Sequence, residues 1–223
     1  MIFSARYLPT TLFSLKDSRS TNSGAKSLFL PSSYAIKMAL LNQAITIGGD
    51  IEKLETKNSK EFTYIRDTKI TFHICDGSNF CVNNSFVRIL KPARDGRGLQ
   101  QTVAFREYVF LSHPVEIIFA VKDENAKNYL KQYLHKINYF GKRGCFFQFL
   151  EYLDKPNETN VKTFDIKDGI RGILQEYDDF DVNSIFENVS NSSSSISRRK
   201  KEIFVLPISR VSSSKSFSHY TYL

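Results

Sequence analysis

The 223-residue chain is poor in the residues that reactive chemistry uses. Its three cysteines, Cys75, Cys81 and Cys145, are odd in number and lack metal-type spacing. A disulfide framework or thiolate metal centre is therefore not expected, and buried thiols in a reducing cytosol are the reading. The four histidines, His73, His113, His135 and His219, are scattered, and no HExxH, Ser-His-Asp, P-loop or CxxC arrangement occurs. That removes the usual zinc-protease, triad-hydrolase, nucleotidase and dithiol classes, and no cofactor or metal is expected. No apolar run approaches the ~18 residues that span a bilayer. The start, Met1-Ile-Phe-Ser-Ala-Arg-Tyr-Leu-Pro, lacks the charged and then apolar regions of a signal peptide and reads as a first strand.

Acidic residues are also in short supply. Twenty-three carboxylates face 31 lysines and arginines, leaving a net charge of +8. Such a balance favours a polyanionic partner, either nucleic acid or an acidic membrane face. Hydrophobic residues at 41% are those of a globular chain with a substantial core.

The positive charge is most concentrated in residues 86–108. Arg88, Lys91, Arg94, Arg97 and Arg106 are opposed there only by Asp95 and Glu107. Gly96 and Gly98 flank Arg97 and free the backbone to turn and approach a partner closely. The segment reads as two short strands joined by a flexible cationic tip, a shape suited to following a phosphate backbone.

Around it the elements fall in a recognisable order. Phe3, Ala5 and Tyr7 alternate with polar neighbours, as in a half-buried strand. A polar stretch (residues 17–26) follows as a loop. Pro31-Ser-Ser33 then caps a helix over residues 34–45 that is apolar around most of its girth and stops at Gly48-Gly49. Residues 62–90 hold β-type runs, and Val115-Glu-Ile-Ile-Phe-Ala-Val121 is apolar enough to be a central strand covered on both faces. Asp123 caps a second helix whose apolar stripe is Ala126, Tyr129, Leu130, Tyr133, Leu134 and Ile137. Phe146-Phe-Gln-Phe-Leu150 returns as a strand.

That order predicts an α+β chain with a ferredoxin-like core over residues 1–152 and a β-hairpin inserted at about 86–108. Residues 153–223 read as a β-rich extension. It has strands near 161–166 and 203–208, a serine-rich loop at 190–197, and the cationic run Arg198-Arg-Lys-Lys201.

Three pieces carry a family resemblance. They are Leu30-Pro-Ser-Ser-Tyr-Ala-Ile-Lys-Met-Ala-Leu-Leu41, the loop and strand Arg94-Asp-Gly-Arg-Gly-Leu-Gln-Gln-Thr-Val-Ala-Phe-Arg-Glu-Tyr108, and the turn Tyr139-Phe-Gly-Lys-Arg-Gly-Cys145. In this order they resemble the RAMP-superfamily subunit of CRISPR Cascade complexes that caps the 5′ handle of the guide RNA, the fifth numbered Cas family. Phe140 stands where that family usually has leucine. The resemblance implies a non-catalytic cytoplasmic subunit of a type I complex that binds the crRNA 5′ handle. It also implies docking to the Cascade backbone and large subunits, and contact with target DNA only through the complex. Arg88, Lys91, Arg94 and Arg97 would lie on the hairpin, or thumb, and Lys142 and Arg143 in a turn near the handle. Arg106 would point either to RNA or into the fold.

Alternatives accompany each of these readings. The hairpin cations are equally those of a solvated surface, and Gly141–Gly144 is equally an ordinary helix-to-strand turn. Tyr108, Tyr139 and Phe140 read as packing aromatics rather than base platforms. Some relatives cleave precursor RNA without metal, which needs a base, an acid and a cation around the phosphate. Tyr34 and Lys37 stand one turn apart, but nothing in the spacing joins them to His113 or His135.

Overall fold

The computed structural model describes residues 1–17, 19–20, 24–93, 95–169, 171–189 and 199–223. The chain opens with β1 (Ile2–Pro9), followed by the short strands β2 (Leu15–Lys16), β3 (Gly24–Ala25) and β4 (Ser27–Leu28). Three helices come next: α1 (Ser33–Thr46), α2 (Ile51–Glu55) and α3 (Lys60–Arg66). Strands β5 (Lys69–Ile74), β6 (Asn79–Pro92), β7 (Leu99–Leu111) and β8 (Val115–Ala120) lead to α4 (Glu124–Leu134) and β9 (Phe147–Leu153). Then come β10 (Lys162–Thr163), β11 (Ile173–Phe180), β12 (Arg199–Leu206), β13 (Ile208–Ser213) and β14 (Phe217–Tyr222).

The first sheet has the order β5-β8-β1-β9 with every neighbouring pair antiparallel. Leaving aside the β6–β7 hairpin, this is strand, helix, strand, strand, helix, strand with the first strand between the third and fourth. The ferredoxin-like plan expected from the order of elements is therefore the one observed. The period-two pattern explains why. Phe3, Ala5 and Tyr7 of β1, Ile117 and Phe119 of β8, and Ile70 and Phe72 of β5 form one buried face. Onto it pack α1 and α4, whose Leu40, Ala44, Leu130 and Leu134 are equally buried. Each leucine, isoleucine or phenylalanine among them contributes about 1.5–3 kcal/mol when fully buried. Tyr7 adds a polar tie, donating its hydroxyl to the Leu134 carbonyl at 2.8 Å.

Helix α1 begins as expected, with the Ser32 hydroxyl accepting from the Ala35 amide. Its second apolar side is needed because β11 packs against it, so it lies between two layers. Lys37 is trapped by that arrangement. Its Nζ reaches Asp179 Oδ1 and the Arg66 carbonyl, each at 2.7 Å. Burial pushes the Lys37 pKa down, against the pull of Asp179.

The β reading of residues 62–66 is corrected. Ser59 caps a helix instead, and Phe62 and Ile65 bury together at helical spacing. The second long helix ends one residue before His135, which caps it. Residues beyond 153 share the core already described, through Tyr177, Phe180, Phe204, Leu206 and Ile208. The serine-rich loop, Arg198 and Arg94 lie outside the described residues.

The opposite face of the first sheet is closed by residues 154–161. Glu116, alternating with the core-facing Ile117, is buried there and accepts from Ser4 Oγ (2.6 Å), the Asn157 amide (3.0 Å) and Asn157 Nδ2 (2.7 Å). Asn160 borders β5, taking the Ile74 amide on its oxygen (2.9 Å) and donating to the Ile74 carbonyl (2.8 Å). The sheet edge thus has side-chain partners in place of a fifth strand.

Burial by itself would raise the Glu116 pKa, but the hydrogen bonds from Ser4 and Asn157 outweigh it and hold it below the usual value. A carboxyl depressed in the folded state stabilises above its unfolded pKa, and that contribution is lost as pH falls through the folded one. Glu116→Gln should cost about 1–3 kcal/mol at neutral pH. The deficit should shrink below about pH 4, in the unfolded carboxylate range. Urea unfolding of both proteins across pH checks this.

Candidate nucleic-acid interface

The hairpin is longer than the sequence suggests. Strands β6 and β7 run 14 and 13 residues rather than forming two short strands, and pair from Phe80↔Leu111 to Pro92↔Leu99. Their lower halves belong to a second sheet of order β13-β14-β6-β7-β3. β14 pairs with β6 from Asn79 to Asn83, and β3 lies parallel to β7 at Phe105 and Arg106. Above Phe86 and Phe105 only the β6–β7 pair remains, so the upper arm projects as a two-stranded ribbon of roughly 20 Å at ~3.3 Å per residue. At its tip Gly96 and Gly98 both have φ of 74°, a left-handed conformation natural to glycine.

Register divides the arm into two faces. Paired residues point the same way, so Phe86, Arg88, Leu90 and Pro92 share a face with Phe105, Val103, Gln101 and Leu99. Toward the base this same face continues into buried Val82 and Val109, but toward the tip it opens to solvent. Phe86, Leu90, Leu99 and Val103 are 75%, 61%, 66% and 57% exposed. This stripe, interrupted by Arg88 and Gln101, was missed in the sequence because Val87 and Ile89 on the other face are apolar too, so residues 86–90 show no alternation. The other face carries Val87, Ile89 and Lys91 opposite Ala104, Thr102 and Gln100. Arg88 and Arg97 are exposed and Lys91 is half-buried.

The turn after α4 is held from inside. Phe140 is fully buried, with its ring 5.1 Å from those of Tyr7 and Phe147. Cys145 is buried too, its Sγ receiving the Ser14 amide at 3.4 Å, and burial pushes its thiol pKa up. Cys75 and Cys81 are half-buried. Between these anchors Gly141 (φ 68°) and Gly144 (φ 98°) turn the backbone so that Lys142 and Arg143 stand exposed. A Cβ on Gly141 would come within 3.2 Å of Leu15 Cδ2, so close packing as well as φ favours glycine there. Neither Lys142 nor Arg143 makes a side-chain ion pair among the described residues.

These two motifs, some 35 residues apart in sequence, meet at one cleft of about 850 Å³. Arg106 and Tyr108 enter from β7, residues 141–145 from the turn, Lys16 from β2, and Tyr34 and Met38 from α1. Glu176, Asp178 and Arg199 come from the third sheet, of order β10-β12-β11. Five cations thus share the cleft with two carboxylates. Arg106 faces this cleft rather than the core, with Nη1 donating to the Phe105 carbonyl at 2.7 Å. Tyr108, read as a packing aromatic, lines the cleft wall, while Phe140 is indeed core. Arg88, Lys91 and Arg97 lie outside the cleft, on the arm. The contributions of Lys16, Glu176, Asp178 and Arg199 were not legible, because β2, β11 and β12 lie far in sequence from residues 106 and 142–143.

The residues considered for RNA cleavage are not assembled into one site. Tyr34 donates to the Val189 carbonyl at 2.7 Å, and the Arg199 guanidinium lies 3.9 Å above its ring. Burial pushes its pKa up, against the pull of Arg199, so the phenol is a protonated donor. Lys37 is locked to Asp179. His113 contacts Ser112 Oγ at 2.7 Å, and the ring of His135 contacts the Lys131 carbonyl at 3.0 Å. No histidine lines the cleft, and no cluster of three metal-type ligands occurs among the described residues. Nor is any described helix long and apolar enough to cross a membrane.

No protein-family model matches the chain, and no curated protein does. Among solved structures it is similar to a CRISPR protein from Archaeoglobus fulgidus, at TM-score 0.44 and 11% identity, covering 100% of this chain and 92% of that one. It is also similar to a chain of the type III-B Cmr-beta complex bound to cognate target RNA, at TM-score 0.43 and 8% identity, covering 97% and 86%. At these values the likeness carries no functional inference.

Tyr34→Phe removes the donor to Val189 and leaves a buried carbonyl unpaired. Such a loss should lower stability by about 1–3 kcal/mol. Faster amide exchange over residues 186–189 would localise it.

Proposed function

We propose that the chain is a non-catalytic RNA-binding subunit of a type I CRISPR Cascade effector, holding the 5′ handle of the crRNA. The observation that carries this reading is the convergence of Arg106 with Lys142 and Arg143 on one cleft, beside a projecting basic arm. Two motifs named by the family resemblance thereby become a single surface.

The chemistry suits single-stranded RNA. The cations at the cleft meet phosphates, and each phosphate neutralised makes log K fall by about 0.7 per tenfold rise in salt. Arginine also stacks on bases through its flat guanidinium. On the arm, an exposed phenylalanine and aliphatic stripe beside Arg88, with Arg97 at the tip, suits unstacked bases flanked by phosphates. Arg94 belongs to the same arm by sequence. Partner subunits of the complex would cover what RNA leaves open, target DNA would be met only through the complex, and the setting would be a prokaryotic cytoplasm.

The commitments of Tyr34 and Lys37 to Val189 and Asp179 support a binding role over endonucleolytic processing of precursor crRNA. Labelled repeat RNA incubated with the protein without metal should stay intact. Discrete cleavage that Tyr34→Phe or His113→Ala abolishes would establish the processing activity instead.

Charge reversal of Arg88 and Arg97 should weaken binding of a handle-containing RNA. It should also flatten the salt dependence by about 0.7 in slope for each phosphate that is no longer neutralised. Fluorescence anisotropy between low and moderate salt measures both. Undiminished affinity and assembly of the double variant would count against the arm.

A further inference from the structure

We infer that the cleft seats one unstacked guanine nucleotide of a single-stranded RNA, base first, and that the Glu176 carboxylate reads the base. This rests on the RNA-binding reading above and adds to it a seat and a specificity.

A phosphate-tracking groove needs cations and little depth. This cleft has about 850 Å³, inside the roughly 300–1,000 Å³ range of small-ligand pockets, and its walls are mixed. Leu12, Leu28 and Met38 offer apolar surface beside the Tyr108 ring, the kind of surroundings on which a base face rests. Arg106, Lys142 and Arg143 supply positive charge for the phosphates. The two carboxylates are what a simple phosphate groove would exclude, since they repel the backbone.

The carboxylates differ in their engagements. Asp178 Oδ2 accepts from Arg199 Nη1 at 2.8 Å, and that guanidinium is itself stacked on Tyr34, so Asp178 has a positioning role. Glu176 is held by one oxygen, with Lys201 Nζ at 3.0 Å and Arg19 Nε at 3.7 Å from Oε1. Its Oε2 has no hydrogen-bond partner among the described residues. The side chain is thus anchored by cations and presents an acceptor to the cleft.

A carboxylate accepts hydrogen bonds and donates none when ionised. Guanine sets its N1–H and N2 amino group side by side on the Watson–Crick edge, two donors in the spacing of two carboxylate oxygens: Oε2 is open, and Oε1 keeps a second lone pair beside its bond from Lys201. Uracil flanks its only N–H with carbonyls that a carboxylate repels. Adenine and cytosine each place an amino group next to a ring-nitrogen acceptor. Guanine is therefore the base this wall favours, as single-stranded RNA is commonly read by such edges.

The test uses the full chain and labelled RNA octamers of uridine carrying one guanosine, adenosine, cytidine or inosine at each position in turn. The inference expects one guanosine register to bind about tenfold more tightly than the all-uridine octamer. Inosine, which lacks the N2 amino group, should lose most of that gain. Glu176→Gln should erase the preference. Equal binding of every octamer would overturn the guanine seat while leaving RNA binding in place. Binding of none at low salt would overturn the RNA reading beneath it. A preference that survives in Glu176→Gln, or an inosine octamer equal to guanosine, would remove Glu176 as the reader. The inosine comparison uses the unaltered protein, so it decides even where the variant folds poorly.

Discussion

The β-ladder on both sides of the hairpin base is the constraint on which the candidate interface depends. A two-stranded ribbon alone is marginal in water, because its backbone groups and side chains find too few partners. Here β14 is hydrogen-bonded to β6 and β3 to β7, so the lower half is interior sheet and only the upper half is ribbon. That pairing fixes the register, and a slip of one residue would exchange every side chain between faces. Arg106 reaches the cleft because β3 holds β7 at that residue. Glu107, its neighbour, is committed to the same junction, accepting the Ser27 amide at 2.9 Å. The strand thus alternates between a residue that fastens and a residue that faces the cleft.

Segments far apart in sequence flank this junction. β14, at residues 217–222, completes the sheet that carries a hairpin beginning near residue 79. β11 covers the outer side of α1, and β11 and β12 supply Glu176, Asp178 and Arg199 to the cleft. The ferredoxin-like layer therefore supplies stability and spacing, while the later strands orient and close the cleft. Lys37 and Asp179 show the same interlock at depth, the lysine buried because the other layer brings its half-buried counter-ion.

Much of this was legible wherever a local rule sufficed. Alternation in Phe3-Ser-Ala-Arg-Tyr7 gave β1, and Ser32 and Asp123 marked helix starts by the hydrogen bonds that they make. Glycines at 141 and 144 pointed to a turn, and both have positive φ. What failed was of two kinds. Residues 62–65 are β-branched and aromatic, yet form a helix because Ser59 caps it and tertiary packing outweighs propensity. The acidic wall of the cleft was invisible because pairing of β11 with β12 is a long-range fact that no spacing in the sequence encodes. Arg106 was left undecided between core and surface, and only the position of β3 resolved it.

The exposed stripe of Phe86, Leu90, Leu99 and Val103 bears on how the isolated chain behaves in solution. An exposed, mostly apolar ribbon face on a stalk is a colloidal hazard, since two such arms brought face to face would hide it from water. The surplus of eight positive charges works the other way, keeping copies apart at low ionic strength and less so as salt screens them. Solubility of the free chain is thus set by a contest between long-range repulsion and short-range adhesion. Raising salt, a common purification step for basic proteins, would tip that contest toward self-association.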